Sequence, residues 1–387
     1  NRGIGLSIFA RTNKSFLGHW WWTVDRWLLM SIALLITIGI VLVFGASPAV
    51  AEKLHLSSFH FVQRQLVFLG LSVSVMFAVS LMSPTMVRRF GVVLFGVCLL
   101  LLVATLVMGA EAKGARRWIQ LGSFTLQASE FMKPAFIIFT AWMFSETQRV
   151  QGFPGWPISI GSCVIVIALL ISQPDLGQSV LVASVWGIQL FMAGLAWFWV
   201  GGLVALAFVG LIVAYFMLPH VEKRIDGFLF PQPGGNYQVD QSLNAFKNGG
   251  LLGQGPGEGV VKMRLPDAHS DYIFAVAGEE FGVVVCLLII LIFAVIVIRG
   301  FVNLLKEEDM FTVLAVAGLL IQFGTQAFIN LAVNLSIIPS KGMTLPFISY
   351  GGSSMLSLSI GMGMILALTR RYSQYKPGQT NLSWGHK

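Results

Sequence analysis

Residues 272–299 read YIFAVAGEEFGVVVCLLIILIFAVIVIR, an apolar run broken by one acidic pair, Glu279-Glu280. A helix needs about 20 mostly apolar residues to cross the hydrocarbon layer of a bilayer, and inside that layer it must satisfy its own backbone polar groups. This run is long enough, and it is not alone. Comparable segments stand at about 27–46, 62–82, 88–109, 127–145, 156–172, 175–193, 196–218, 309–334 and 350–369. The chain is therefore expected to be all-α, a polytopic membrane bundle of ten transmembrane helices. Composition agrees. Of 387 residues, 56% are hydrophobic and only 11% charged, against roughly 25% charged in a soluble domain. That excludes a soluble fold, and the regular recurrence of the runs favours one bundle over several domains.

Lys and Arg set the orientation, because cytoplasmic loops carry the positive excess. Arg2, Arg11, Lys14 and Arg26 precede the first segment. Arg88 and Arg89 lie between the second and third, Arg299 and Lys306 between the eighth and ninth, and Arg370, Arg371 and Lys376 after the tenth. With ten spans these share one side, which predicts cytoplasmic termini: a tail at 1–26, a spanning domain at 27–369 and a tail at 370–387. The net charge of +8 then reads as contact with anionic lipid, not nucleic acid, for which no motif is present. Cys98, Cys163 and Cys286 sit inside apolar runs without CxxC or Cys/His spacing, so neither a disulfide nor a zinc site is expected. No cleavable signal peptide is visible, and the polar start without Met is expected to be a fragment's.

Most outer loops are short, but 219–271 is one long extracytoplasmic loop. Long segments in compact folds are functional or disordered, and this one is not low-complexity. Val239, Leu243 and Phe246 recur at i, i+4, i+7 and predict a short helix on the membrane surface. Lys223, Arg224, Lys247, Lys262 and Arg264 also lie here. Either long loops escape the topology rule, or these cations form a surface for an anionic substrate.

Three groups could carry chemistry. Pro266-Asp267-Ala268-His269-Ser270-Asp271 ends at the outer mouth of the eighth span. Partial desolvation there would raise the pKa of Asp271 and suit it to act as a base, yet Asp is also a favoured helix cap. Within that span, Glu279 and Glu280 are either functional or paired with cations from elsewhere in the bundle. In the second group, Arg116-Arg117-Trp118 offers two guanidinium forks to a pyrophosphate. Glu130 and Lys133 share a helix face and form an internal ion pair or a substrate contact. In the third, Lys341 is the cation of an otherwise uncharged outer loop. The span before it carries Gln326, Asn330 and Asn334 at spacing four, a ladder that glues helices or lines a groove. Gln173-Pro174-Asp175 predicts a sharp break between the fifth and sixth spans. Gly253, Gly255, Gly257 and Gly259 lack P-loop spacing, and His269 belongs to no HExxH or GxSxG pattern.

Read in order, several blocks resemble the SEDS family (shape, elongation, division and sporulation) over nearly the whole chain. They are Arg116-Arg117-Trp118 with Ser129-Glu130, Gln173-Pro174-Asp175-Leu176-Gly177, Tyr237-Gln238 to Gln241-Ser242, Gly249-Gly250 with Gly253 and Gly255, Leu265-Pro266 to His269-Ser270-Asp271, Glu279-Glu280 with Gly282, and Lys341 to Ser354. Lys341-Gly342-Met343-Thr344-Leu345-Pro346 is similar to the division branch; elongation members usually carry Thr-Gly there. Ser270 stands where Thr is usual, and Ala128 where Pro is common.

The resemblance implies a peptidoglycan glycosyltransferase that polymerises lipid II on the outer face of the bacterial inner membrane, at the division septum. Asp271 matches the family's essential aspartate. It would take the proton of the acceptor N-acetylglucosamine 4-hydroxyl as that oxygen attacks the anomeric carbon of the donor N-acetylmuramic acid. Undecaprenyl pyrophosphate leaves, and inversion gives a β-1,4 link. Arg116, Arg117 and Lys341 are expected on the diphosphate, with Lys133 and Lys262 as further cations and His269, Glu130 and Ser349 beside the substrate. Asp175, Glu279, Glu280 and Asn330 are expected to be structural, within the membrane. No organic cofactor is implied, and a divalent cation, Mg or Mn, is left open. The implied partners are a class B penicillin-binding protein transpeptidase (FtsI-like) and other division proteins (FtsQLB-like and FtsN-like). The rival readings are a lipid II flippase, an elongation-branch polymerase and a non-catalytic scaffold. Ionisable residues gathered at the outer face, with no inverted repeat, weigh against a flippase.

Overall fold

The computed structural model describes residues 16–53, 55–112, 115–122, 124–230 and 237–370. The tail cations Arg2, Arg11, Lys14, Arg371 and Lys376 lie outside the described residues. The helices are α1 (Phe16–Thr23), α2 (Arg26–Lys53), α3 (His60–Ser80), α4 (Pro84–Met108), α5 (Ala128–Arg149), α6 (Gly155–Ser172), α7 (Leu176–Met192), α8 (Trp197–Met217), α9 (Pro219–Leu229), α10 (Tyr237–Gly249), α11 (Ile273–Leu304), α12 (Met310–Asn334) and α13 (Gly352–Leu368). A helix stands at each apolar segment. Seven of them (α2, α3, α4, α6, α8, α11 and α12) are long and apolar enough to cross a membrane. Helices α7 and α13 are shorter and apolar, while α5 is 22 residues long and carries Glu130, Lys133, Glu146 and Arg149. The chain is a multi-pass membrane protein.

One element departs from the all-α expectation. The connection between α4 and α5 folds as a three-stranded antiparallel sheet of β1 (Ala110–Ala112), β2 (Ala115–Leu121) and β3 (Phe124–Leu126). Glu111 pairs with Arg116, and Ile119 with Leu126. Edge-to-edge pairing of the three strands satisfies the backbone of this segment.

The break at Gln173-Pro174-Asp175 is present between α6 and α7. Asp175 caps α7 by accepting from the Gln178 amide. At the other side of the break, the Arg117 guanidinium donates to the carbonyls of Gln173, at 3.1 Å, and Pro174. A cation thus serves the orphan carbonyls of the α6 C-terminus.

Helix α12 is the core of the bundle, packed against α5, α7, α11 and α13. Close approach relies on missing side chains: a Cβ at Gly363 of α13 would lie 2.7 Å from the Met76 carbonyl of α3. By contrast α8 buries none of its 21 residues and packs mainly on α7 and α9.

The long loop is ordered around a break in α11. Gly282 there has φ 74°, outside helical space. The backbone groups that the break frees are taken by the loop after α10. The Val283 amide donates to Gly250 O at 3.1 Å, and the Gln254 and Gly255 amides donate to Glu279 O and Glu280 O at 2.9 and 3.0 Å. This accounts for the glycine run, since a Cβ at Gly253 would sit 2.2 Å from Glu280 O. The helix predicted from Val239, Leu243 and Phe246 is α10. Its inner face rests on protein: Phe246 lies over Gly278 of α11, and the Ser242 hydroxyl donates to Asn334 O at 2.7 Å.

Candidate active site

A cleft of about 620 Å³ opens where α3, the sheet, the first turns of α5 and α7, and α9 meet two loops, 265–272 and 335–351. Asp271 lines it. Its carbonyl accepts from Asn330 Nδ2 at 2.9 Å and Asn334 Nδ2 at 3.0 Å, and Asn334 Oδ1 accepts from the Ala275 amide at 3.1 Å. The polar ladder of α12 therefore fixes the mouth of α11. Asn330 also donates to Met343 O at 2.5 Å, tying the second loop to the first. Ser349 is buried behind the wall, donating to Ser270 O at 2.5 Å and accepting from the Leu345 amide at 2.8 Å. Gly342 lies against the carboxylate: a Cβ there would be 2.8 Å from Asp271 Oδ2.

Beside Gly342, Lys341 reaches across the first turn of α7. A Cβ at Gly177 would fall 1.1 Å from Lys341 Cε, so only glycine admits this path. Arg117 and Arg224 line the cleft with Asp175, whose carboxylate is 3.9 Å from Arg117 Nη1. Burial pushes Lys341 down to about 7, reinforced by Lys133, Arg224 and Arg117 and opposed by Asp175. Burial lowers Arg224 as well, with Arg117 adding to it. Arg117, Arg224 and Lys341 thus gather about the Asp175 carboxylate at the start of α7.

Part of the lining is aromatic. His269 packs 4.4 Å from the Phe61 ring and 5.1 Å from the Tyr350 ring. Burial drives His269 down to about 4, against a smaller opposing effect of Asp267, so it is neutral at pH 7.

Other expected residues lie elsewhere. Arg116 neighbours Arg117 on β2, where successive side chains take opposite faces; it is exposed and is not among the cleft residues. Glu130 lines the cleft, but Lys133 behind it is fully buried, donating to Glu130 Oε2 and Gln326 Oε1, each at 2.9 Å. Lys262 is buried in a pair with Glu280, and Glu279 accepts from the Val261 and Lys262 amides at 2.7 and 2.8 Å. The partner that Glu280 required thus comes from the loop. Two cleft cations were missed. Arg224 was one of several loop cations, and Arg64 sits in the second apolar segment, where an ionisable side chain is itself a functional signal. Among the described residues no group of three or more acidic, His or Cys side chains could hold a metal. A second cavity, about 410 Å³, opens at the far ends of α4, α5 and α12 among Arg88, Glu146, Arg149 and Asp309.

The family model of the FtsW/RodA/SpoVE cell cycle proteins matches residues 26–374. The chain belongs to that family. Among FtsW/RodA/SpoVE relatives, a probable peptidoglycan glycosyltransferase FtsW of Caulobacter vibrioides is 46% identical over 94% of this chain and 93% of its own. The fold is similar to a chain in a peptidoglycan synthase complex that coordinates polymerization and crosslinking, with a TM-score of 0.74 and 26% identity over 89% of this chain and 97% of that one. It is also similar to the rod shape determining protein RodA of Thermus thermophilus, with a TM-score of 0.67 and 26% identity over 90% and 97% of the two chains.

Proposed function

We propose that this chain is a division-branch peptidoglycan glycosyltransferase that polymerises lipid II. The observation that carries the reading is one cleft lined by Asp271, Arg117 and Arg224, with Lys341 packed next to it on the first turn of α7. Glycosyl transfer with inversion needs a base on one side of the anomeric carbon and cations for the leaving group on the other. Asp271 takes the proton of the acceptor N-acetylglucosamine 4-hydroxyl. The oxygen of that hydroxyl bonds to C1 of the donor N-acetylmuramic acid, the C1–O bond to phosphate breaks, and undecaprenyl pyrophosphate departs with the electron pair. Arg117, Arg224 and Lys341 hold that diphosphate at the start of α7. Glu130, paired with Lys133, stiffens the wall between them. The division branch is supported by the 46% identity to the Caulobacter FtsW, against 26% to the RodA structure.

In this reading ten helices cross the bacterial inner membrane, α5, α7 and α13 included. The termini are cytoplasmic, the cleft faces outward and the protein works at the septum. Its partner is a class B penicillin-binding protein transpeptidase, a reading supported by the similarity to the synthase complex; FtsQLB-like and FtsN-like proteins act on that pair. The test is incubation of the purified pair with lipid II. Glycan ladders with release of undecaprenyl pyrophosphate are expected. Transport of lipid II between leaflets without ladders would replace the reading with a flippase.

A further inference from the structure

The cleft has two chemical kinds of lining, and Asp271 belongs to the same wall. The cationic kind is Arg117 and Arg224 at the first turn of α7, on which Lys341 packs. The aromatic kind is His269 and Tyr350, whose rings lie 5.1 Å apart and tilted by 39°. The Phe61 ring backs both, at 4.4 Å from His269 and 5.3 Å from Tyr350. The charges beside these rings offset each other: Asp267 acts on His269, and Arg64 hydrogen-bonds Tyr350. His269 is 9% exposed, and its Nδ1 is buried without a hydrogen-bond partner. The loops hold these rings in place, since the Tyr350 amide donates to His269 O at 2.9 Å.

A diphosphate gains little from such a lining. A sugar ring suits it, with an apolar face for the rings and hydroxyl or acetamido groups for a neutral imidazole. We infer that His269 and Tyr350 form the acceptor subsite, holding the N-acetylglucosamine ring so that its 4-hydroxyl meets Asp271. The inference rests on the glycosyltransferase reading and deepens it: within one cleft, the donor's diphosphate takes the cationic lining and the acceptor's sugar the aromatic one. His269 is then a binding residue for one substrate only.

The test uses two lipid II analogues that couple once. A lipid II capped at its 4-hydroxyl serves only as donor, and a phosphonate-linked lipid II serves only as acceptor. The purified chain with its transpeptidase is assayed for KM towards each. His269→Ala is expected to raise the acceptor KM about tenfold, the worth of one buried hydrogen bond, and to leave the donor KM unchanged. Tyr350→Ala does the same, while Tyr350→Phe, which keeps the ring, stays near wild type. An unchanged donor KM also shows that the variants are folded. Equal rises in both KM values, or a rise for the donor alone, would overturn the assignment. No coupling by the wild type would overturn the glycosyltransferase reading, and this inference with it.

Discussion

Lys341 makes the site sensitive to pH. Burial, with the neighbouring cations, brings it down to about 7 despite Asp175. Its charge is present below that value and lost above it. A cation that stabilises a leaving diphosphate works only when charged. The kcat/KM of lipid II polymerisation is therefore expected to fall as pH rises through about 7, and Lys341→Arg should move that limb upward; a variant profile that overlays the wild type would contradict this role. The pair of Lys262 and Glu280 carries a second prediction. Lys262→Ala leaves a carboxylate buried and unpaired and is expected to cost about 3–5 kcal/mol, read as a lower thermal midpoint in detergent. Lys262→Met with Glu280→Gln should recover much of the loss. At this scale the sequence was partly legible. Lys341 stands out as the one charge of its loop, whereas Asp271 reads by position alone as well for a helix cap and is singled out only by the resemblance of its motif to the family's. Arg116 and Arg117 look equivalent as adjacent letters, and only the strand between α4 and α5 tells their faces apart. Glu280 announces that it needs a cation, but nothing local says that Lys262 supplies it.

Among the elements, broken α11 and the loop that fills it form one unit. Gly253 and Gly257 both have positive φ, at 83° and 85°, but only Gly253 is hemmed in. Gly257→Ala should cost about 1–2 kcal/mol from backbone strain alone. Gly253→Ala must also displace the Glu280 carbonyl, which frees the loop from α11, so its thermal midpoint should fall further. Equal shifts for the two would mean that the loop is not seated in the break. Hydrophobic runs located every long helix here, because a bilayer demands length and apolarity that the letters display directly. They did not locate the break at Gly282. That break depends on backbone pairing between residues some thirty positions apart, and the glycines that permit it look like an ordinary flexible loop. The sheet escaped because its longest strand, β2, reads ARRWIQL and does not alternate apolar with polar residues.

Across the whole molecule, the two cavities open at opposite ends of the helices. Between them lies a packed core in which charged groups such as Lys133 and Glu130 are paired. This suits a one-sided enzyme better than a carrier, which needs a route through the midplane. On the proposed function, the lipid tails of donor and acceptor would remain in the bilayer while their head groups meet in the cleft. The measurement that tests this account most directly is glycan polymerisation from purified lipid II by the chain in complex with its class B transpeptidase, comparing wild type with Asp271→Asn. The account predicts ladders from the wild type and a loss of about 10²–10⁴-fold in rate, the usual worth of a general base, from a variant that still assembles with its partner. Ladders of equal rate from both would contradict it.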